Sequence, residues 1–444
     1  MRQQILMPPL TPTMTAGKIA RWHVSEGQSV AAGDVLVEIA TPSATLEIEA
    51  SSGGRVERIL VPAGADDVEV NTPIAILFGG ETAPLGGLSP EALGLADIDP
   101  LESRRAPRQQ TVATGHATRG LTYREALRDG LAERMRADDD VFLIGSDVAQ
   151  NRGAPKVAQG LLDTFGQRRV VSVPNTEEAI IGVAVGAALA GLKPVVEVAH
   201  WARALEVLTP YLITAAETFY LSGGVQSVPL VIRGPNGHVP GMTGQDARCV
   251  AAELARIPGL KVAQPATPSA ARALLATAIL DTGPVALLEH ELLYATRDPM
   301  DGEAPFDPAP GRARILRSGT DVTIVASGRA VLTALEAANA LVPEGIEAEV
   351  VDLMWVRPLD HETVVASLGR TGRLVTVEEG HGEGGIGSEI AAHIVEHHFR
   401  ALKAPPRRLA GASVPMPYAT ELQARALPQV ADVVGSAIGL VRNG

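Results

Sequence analysis

Two adjacent glutamates open the most apolar helix that the sequence predicts. Glu177 and Glu178 follow the short strand RRVVSVP and precede the apolar run AIIGVAVGAALAGL, residues 179–192. A carboxylate in the first turn of a helix is tolerated by the helix macrodipole even where it is buried. A buried carboxylate of this kind is a candidate for proton transfer. The same two residues would also serve simply as a favourable helix start, and spacing alone leaves both interpretations open.

A tight turn between two short strands carries the second chemically informative position. The strands VLVEI and TLEIEA flank a tip made of Pro42, Ser43 and Ala44. Ser43 offers a hydroxyl but no amine, so no amide-linked group can be attached there. The only lysine before residue 80 is Lys18, which falls on a different strand.

Composition limits the partners of the chain. With 444 residues it is long enough for two or three domains, and its net charge of −13 argues against nucleic acid and anionic membranes as partners. The one cysteine, Cys249, permits no intrachain disulfide, and the first residues lack the features of a signal peptide. The longest apolar run is shorter than the ~20 residues needed to span a bilayer. These features favour a cytoplasmic protein.

Patterning along the chain predicts a multi-domain architecture. Residues 1–79 alternate like short strands and contain an internal duplication, VSEGQSVAAGDVLVEI and VPAGADDVEVNTPIAIL, which predicts a small two-sheet β sandwich. Residues 80–118 are rich in Pro, Gly, Ala, Arg and Ser, as linkers are. Strands and helices alternate over 119–298 and again over 312–440, which predicts two α/β domains with mainly parallel sheets.

Residues 1–79 resemble a lipoyl domain across their whole length, from ILMPPLTPTM to the turn described above. In that family a lysine at the hairpin tip, between an Asp and an Ala, carries the lipoyl arm. Ser43 stands at the matching position, so we expect no covalent lipoate on this chain. The resemblance then implies a relic domain kept for folding or docking, and another group on the hydroxyl is a weaker alternative.

Residues 119–440 resemble the beta subunit of the first component of 2-oxoacid dehydrogenase complexes, in particular pyruvate dehydrogenase. The similarity rests on DVAQNRGAPKVAQGL, IGVAVGAALAGLKPVVE, SGGVQSVPLVIRGPNG and VPMPYATELQARALPQV. It implies a transketolase-like pyrimidine-binding domain, a transketolase-like C-terminal domain, thiamine diphosphate, and an α2β2 heterotetramer that works with a dihydrolipoyl acyltransferase core. The sequence has no suitable Gly-Asp-Gly segment for the diphosphate and its Mg²⁺, so we expect the alpha subunit to hold them.

The resemblance assigns Glu177 as the carboxylate that shares a proton with the aminopyrimidine ring of the cofactor. It places Asn175, Ala199 and Arg203 beside the cofactor as well. Arg203 falls where the family has an aromatic ring, and Asn175 replaces an apolar residue.

Asp246 stands where the family has a histidine that faces the substrate and the incoming lipoyl group. An aspartate there would repel a 2-oxoacid carboxylate unless its pKa were raised or a cation neutralised it. Arg203 is a candidate cation, and His238 or His200 could replace the lost histidine. We therefore expect Glu177, Asp246 and His238 to form the catalytic set.

Three functions remain open at this point. The first is a 2-oxoacid dehydrogenase beta subunit that passes its acyl group to a lipoyl group supplied in trans. The second is a diverged thiamine-diphosphate ketol or acyl transferase with another donor or acceptor, and the third is a non-catalytic pseudo-subunit. The resemblance also suggests a potassium ion near Asp281. The glycine pattern Gly382, Gly384, Gly387 matches a weak dinucleotide-binding motif, but it lies too late in its domain for that role.

Overall fold

The computed structural model describes residues 2–7, 16–31, 34–40, 45–50, 54–70, 72–78, 120–146, 148–149, 157–173, 177–242, 244–297 and 305–443. The chain divides into two compact units, Met1–Ser103 and Arg104–Gly444.

The described part of the first unit is a sandwich of two four-stranded sheets, with strand orders β1-β8-β6-β3 and β5-β4-β2-β7. Advancing each strand number of one sheet by four, and counting from β1 again after β8, gives the order of the other sheet. The predicted internal duplication is therefore a pseudo-twofold relation between the sheets. The strands are β1 (Arg2–Leu6), β2 (Ala16–Trp22), β3 (Ser29–Val30), β4 (Val35–Ala40), β5 (Thr45–Glu49), β6 (Gly54–Ile59), β7 (Val68–Glu69) and β8 (Pro73–Phe78).

The duplicated strands bury their side chains in the same way. In both β4 and β8, the second, third and fifth residues of the strand are buried inside the sandwich. Ile19, Leu36, Ile39, Ile74 and Leu77 are almost fully buried in its core. Ala40 pairs with Thr45 across the predicted hairpin, whose tip at 41–44 lies outside the described residues.

A seven-stranded sheet with the order β10-β9-β11-β12-β14-β13-β18 forms the first part of the second unit. All of its described pairs are parallel except β13 with β18. Its elements up to residue 289 are α1 (Tyr123–Ala137), β9 (Val141–Ser146), α2 (Leu161–Phe165), β10 (Val170–Val173), α3 (Glu177–Leu189), β11 (Lys193–Glu197), α4 (Trp201–Leu221), β12 (Val231–Pro235), α5 (Ala251–Ala255), β13 (Lys261–Ala263), α6 (Pro268–Leu280) and β14 (Val285–Glu289).

Helices on both faces bury this sheet, as the continuous apolar runs in its strands predict. α3 packs against α4, where a Cβ on Gly182 would come 3.6 Å from the ring of Tyr211. Gly186 has no such neighbour within 4 Å, and Val183 is 60% exposed. One face of α3 therefore packs in the core and the other leaves apolar surface uncovered.

A five-stranded sheet with the order β15-β17-β16-β19-β20 forms the second part of this unit. Its pairs are parallel except β15 with β17. The remaining elements are β15 (Arg314–Arg317), β16 (Val322–Ala326), α7 (Ala330–Leu341), β17 (Ala348–Asp352), β18 (Trp355–Arg357), α8 (His361–Thr371), β19 (Leu374–His381), α9 (Ile386–His398), β20 (Arg407–Gly411), α10 (Thr420–Ala426) and α11 (Val430–Asn443).

β18 joins the two α/β parts. It follows β17 of the five-stranded sheet in sequence, yet it pairs with β13 at the edge of the seven-stranded sheet. Trp355 in β18 is fully buried and donates a hydrogen bond from its indole nitrogen to the carbonyl of Pro308 at 3.1 Å. The boundary between 119–298 and 312–440 is therefore crossed by one strand. Among the described residues no helix is long and apolar enough to cross a membrane.

Candidate active site

The candidate residues gather at one edge of the seven-stranded sheet. β10, β11 and β12 run parallel, so their carboxyl ends meet at the same edge. Glu177 opens α3 after β10, and Ala199 lies just after β11. Arg203 sits in the first turn of α4, and Asp246 lies in the segment between β12 and α5. Side chains after neighbouring parallel strands are the usual ligand-binding groups of an α/β sheet.

Glu177 is a partly buried carboxylate at a helix N-terminus. Burial raises its pKa above the ordinary glutamate value. A hydrogen bond from the backbone of Ala199 and the positive charge of Arg203 act in the opposite direction and keep the rise partial. A carboxyl group with a raised pKa is suited to share a proton with a ring nitrogen of a bound ligand.

Arg203 and Asp246 form a two-pronged ion pair beside that carboxylate. The Nε of Arg203 donates to Oδ1 of Asp246 at 2.8 Å, and Nη2 donates to Oδ2 at 3.0 Å. The side chain of Asp246 is 14% exposed, whereas that of Arg203 is 62% exposed. Arg203 therefore supplies the neutralising cation that an aspartate at this position needs. The Nη1 side of its guanidinium group faces away from the carboxylate of Asp246.

His238 belongs to a different, buried cluster. Its side chain lines a cavity of about 110 Å³ together with Arg329, Glu378 and Glu379 of the C-terminal part. Nδ1 of His238 has no hydrogen-bond partner among the described residues, and burial lowers the pKa of the imidazole. The catalytic role of His238 stays a prediction.

A buried arginine behind the site was not predicted. Arg233 in β12 pairs with Glu289 in β14 and with Glu197 in β11, and Tyr294 donates to Glu289 at 2.7 Å. The carbonyl of Arg233 also accepts a hydrogen bond from Val198, one residue before Ala199. The network therefore fixes the strand end whose backbone bonds to Glu177. Charged residues inside the apolar strands VVEV, LVIRG and ALLEH are the sequence signal that could have revealed this buried network.

Asp281 lies away from these residues. It caps the C-terminus of α6 and is separated by three residues from the start of β14, which is parallel to β12, so it is at the opposite edge of the sheet. Its Oδ1 accepts hydrogen bonds from Nζ of Lys261 at 2.9 Å and from the backbone nitrogen of Gly283 at 2.8 Å. The ammonium group already neutralises this carboxylate, and the potassium site near Asp281 stays a prediction. The described residues contain no group of three or more His, Cys, Asp or Glu side chains placed to hold a metal ion.

Three further features singled out in the sequence are Ser43, Asn175 and the glycine pattern of residues 382–387. Ser43 and Asn175 lie outside the described residues. At the glycine-rich turn before α9, Glu378 accepts hydrogen bonds from the backbone nitrogens of Ile386 at 3.0 Å and Gly387 at 2.9 Å. A carboxylate of the chain thus occupies the helix N-terminus that binds pyrophosphate in dinucleotide folds.

Models of three protein families match the chain. The transketolase pyrimidine-binding domain matches residues 119–296, the transketolase C-terminal domain matches 311–433, and the biotin-requiring enzyme family, which covers biotin and lipoyl domains, matches 3–77. A solved structure described as a split-gene transketolase, inactive beta4 tetramer, superposes with a TM-score of 0.57 at 25% identity and covers 73% of this chain and 99% of its own.

Curated relatives match most or nearly all of the chain. The pyruvate dehydrogenase E1 component subunit beta of Rhizobium meliloti (strain 1021) is 42% identical over 97% of both chains. The mitochondrial beta subunit of Bos taurus is 44% identical over 72% of this chain and 90% of its own. The chain belongs to the pyruvate dehydrogenase E1 beta-subunit family. The predicted transketolase-like domains and the N-terminal lipoyl-like domain are thereby confirmed.

The site fits one half of the cofactor that this E1 beta family implies. Glu177 is a partly buried carboxyl group whose pKa is raised by burial, as the ring nitrogen of an aminopyrimidine requires of its partner. The ion pair of Arg203 with Asp246 offers polar contacts beside it. The sequence contains no Gly-Asp-Gly segment, and the ligands of the diphosphate half stay a prediction.

Proposed function

We propose that this chain is the beta subunit of a thiamine-diphosphate-dependent 2-oxoacid dehydrogenase of the pyruvate dehydrogenase type, active in the cytoplasm. The observation that carries the proposal is the position of Glu177, partly buried at the start of α3, with its carboxylate bonded to the backbone of Ala199. When bound, the cofactor supplies a carbon nucleophile for the 2-oxo group and then stores the electrons released by decarboxylation.

The residues of the chain prepare that chemistry. Glu177 holds a proton at its carboxyl group and exchanges it with the pyrimidine ring, which its raised pKa favours. Ala199 orients the carboxylate through its backbone, and the buried Arg233 network holds the strand end that carries Ala199. These contacts position one acid with the rigidity that proton transfer needs.

An alpha subunit completes the site in this proposal. The diphosphate and Mg²⁺ ligands are assigned to that partner, because the sequence of this chain lacks the segment that would supply them. The second unit also exposes apolar side chains on α3 and α4 that a partner would cover. They are Val183, Ile213, Phe219, Tyr220 and Leu221. An α2β2 assembly is the arrangement that we propose.

The acyl group leaves on a lipoyl arm of another protein in this account. Ser43 has no amine for lipoylation, so a separate dihydrolipoyl acyltransferase must supply the arm. The N-terminal sandwich keeps its fold, which leaves it a docking or folding role.

A second candidate function rests on Asp246. The ion pair of Arg203 and Asp246 stands where the resemblance places an aromatic ring and a histidine, and this difference suits a ketol or acyl transferase with a polar donor or acceptor.

One experiment separates these functions. The chain is co-expressed with an E1 alpha subunit from the same organism, and decarboxylation of 2-oxoacids is followed with an artificial electron acceptor that bypasses the lipoyl step. Turnover supports the dehydrogenase. Binding of thiamine diphosphate without turnover of any 2-oxoacid supports the transferase. An assembled pair that does not bind the cofactor contradicts both and leaves a non-catalytic subunit.

A further inference from the structure

The guanidinium group of Arg203 has two edges with different surroundings. It carries five N–H donors in a planar fork. The Nε–Nη2 edge is occupied by the two carboxylate oxygens of Asp246 at 2.8 and 3.0 Å. The Nη1–Nη2 edge points away from that partner, and the side chain remains 62% exposed although one edge is bound.

Asp246 acts as an anchor for this arginine. Its side chain is 14% exposed, so the carboxylate is held by the protein rather than by solvent. A bidentate contact to a fixed carboxylate removes much of the rotational freedom of a long side chain. The free edge therefore has a defined orientation before any ligand arrives.

The anchored arginine belongs to the site of Glu177. Arg203 lies about one helical turn after Ala199, whose backbone donates a hydrogen bond to Glu177. Its positive charge also offsets part of the rise that burial causes in the pKa of Glu177. A planar fork with a free edge is the geometry that recognises a carboxylate with two parallel hydrogen bonds. Lysine, a point charge, does not provide that second edge.

We propose that Arg203 binds the carboxylate of an anionic 2-oxo substrate through its Nη1–Nη2 edge, while Asp246 holds the Nε–Nη2 edge. Arg203 is then a substrate-binding residue and Asp246 its positioning residue. This inference rests on the proposed function and adds to it the residue that selects an acid over a neutral ketone or aldehyde.

The competing explanation is that Arg203 only neutralises Asp246. The double variant Arg203→Met/Asp246→Asn separates the two explanations, because it removes the cation and the charge that the cation would neutralise. The control is Lys193→Met, which removes an ion pair with Asp138 (2.6 Å) at the start of β11, the other edge of the sheet. All variants are studied as assemblies with the alpha subunit.

The measurements are KM and kcat for a 2-oxoacid with an artificial electron acceptor, and the Kd of thiamine diphosphate from fluorescence. For Arg203→Met we expect KM to rise about 10- to 100-fold, as for the loss of hydrogen bonds to a charged group, with the Kd of the cofactor unchanged. In the double variant KM should stay high. Arg203→Lys should recover only part of the affinity, and Lys193→Met should match the wild type.

Three results would overturn the inference while leaving the proposed function intact. They are an unchanged KM in Arg203→Met, a KM restored by the second substitution, and a parallel loss of cofactor binding. A wild-type assembly without turnover of any 2-oxoacid would instead remove the proposed function, and the inference with it.

Discussion

The same pairing of arginine with carboxylate occurs in two regions of the catalytic unit with opposite surroundings. Arg233 is 2% exposed and lies between Glu289, which is fully buried, and Glu197. Arg203 is 62% exposed, and among the described residues its ion-pair partner is Asp246, on one edge. The buried pair has every edge occupied by protein, so it can only support the fold. The exposed pair leaves one edge of Arg203 accessible to a ligand. The difference in burial therefore distinguishes Arg233, which supports the fold, from Arg203, which can bind a ligand.

The largest effect should follow from breaking the buried pair. Arg233→Met leaves Glu289 as an uncompensated charge inside the sheet, and we expect a loss of about 3–5 kcal/mol in the free energy of unfolding. Arg203→Met should change that free energy by about 1 kcal/mol or less, since its charge is exposed. Urea unfolding monitored by circular dichroism measures both.

Equal losses of stability in these two variants would contradict the division into scaffold and binding group. Arg233→Lys serves as the conservative control, because it keeps the charge and loses the fork. It should fall between the wild type and Arg233→Met.

Cys249, a partly buried residue, tests how strongly its surroundings disfavour the charged thiolate form of its side chain. Burial, with the nearby carboxylate of Glu379, raises the pKa of this thiol to about 12, although the amide of Asn236 contacts the sulfur at 3.4 Å. Against the ordinary value of 9.0, this reduces the thiolate fraction near pH 8 about a thousandfold. Iodoacetamide should therefore modify native protein much more slowly than urea-unfolded protein. Comparable rates would show that the thiol is not in a charge-excluding interior.

The smallest expected effect is the dependence of KM on salt concentration, which tests whether Arg203 binds the substrate anion. Raising the ionic strength from about 0.05 M to about 0.5 M shortens the Debye length to a few ångströms and screens exposed charges. We expect KM for a 2-oxoacid to rise a few-fold in the wild type and much less in Arg203→Met. Equal salt dependence in both would mean that the exposed edge does not bind the substrate anion. Lys193→Met supplies the control slope.

Local patterns predicted most of the elements. The apolar alternation of residues 35–40 and 73–78 predicted β4 and β8, and the run after Glu177 predicted α3. Pairing over long sequence distances was not accessible in this way. β18 follows β17 of the five-stranded sheet in sequence but pairs with β13 of the seven-stranded sheet. Burial of Trp355 accompanies this pairing, and local propensity does not encode it.

The sequence proposed which residues form the candidate site but not how they pair. The resemblance placed Arg203 and Asp246 near the cofactor, and only the structure shows that they hold each other through two hydrogen bonds. It also shows that His238 lines a cavity together with residues of the C-terminal part. Sequence spacing reports which residues share an element, whereas the partner of a charged side chain depends on how elements pack.

The central claim concerns Glu177 and is tested most directly by comparing it with its neighbour. Glu177→Gln keeps the size of the side chain and removes the acid, whereas Glu178→Gln makes the same change at an exposed position beside Tyr211. In the assembled αβ pair, decarboxylation dependent on thiamine diphosphate should fall about 10²- to 10⁴-fold in Glu177→Gln and remain near the wild-type rate in Glu178→Gln. Full activity in Glu177→Gln would contradict the account.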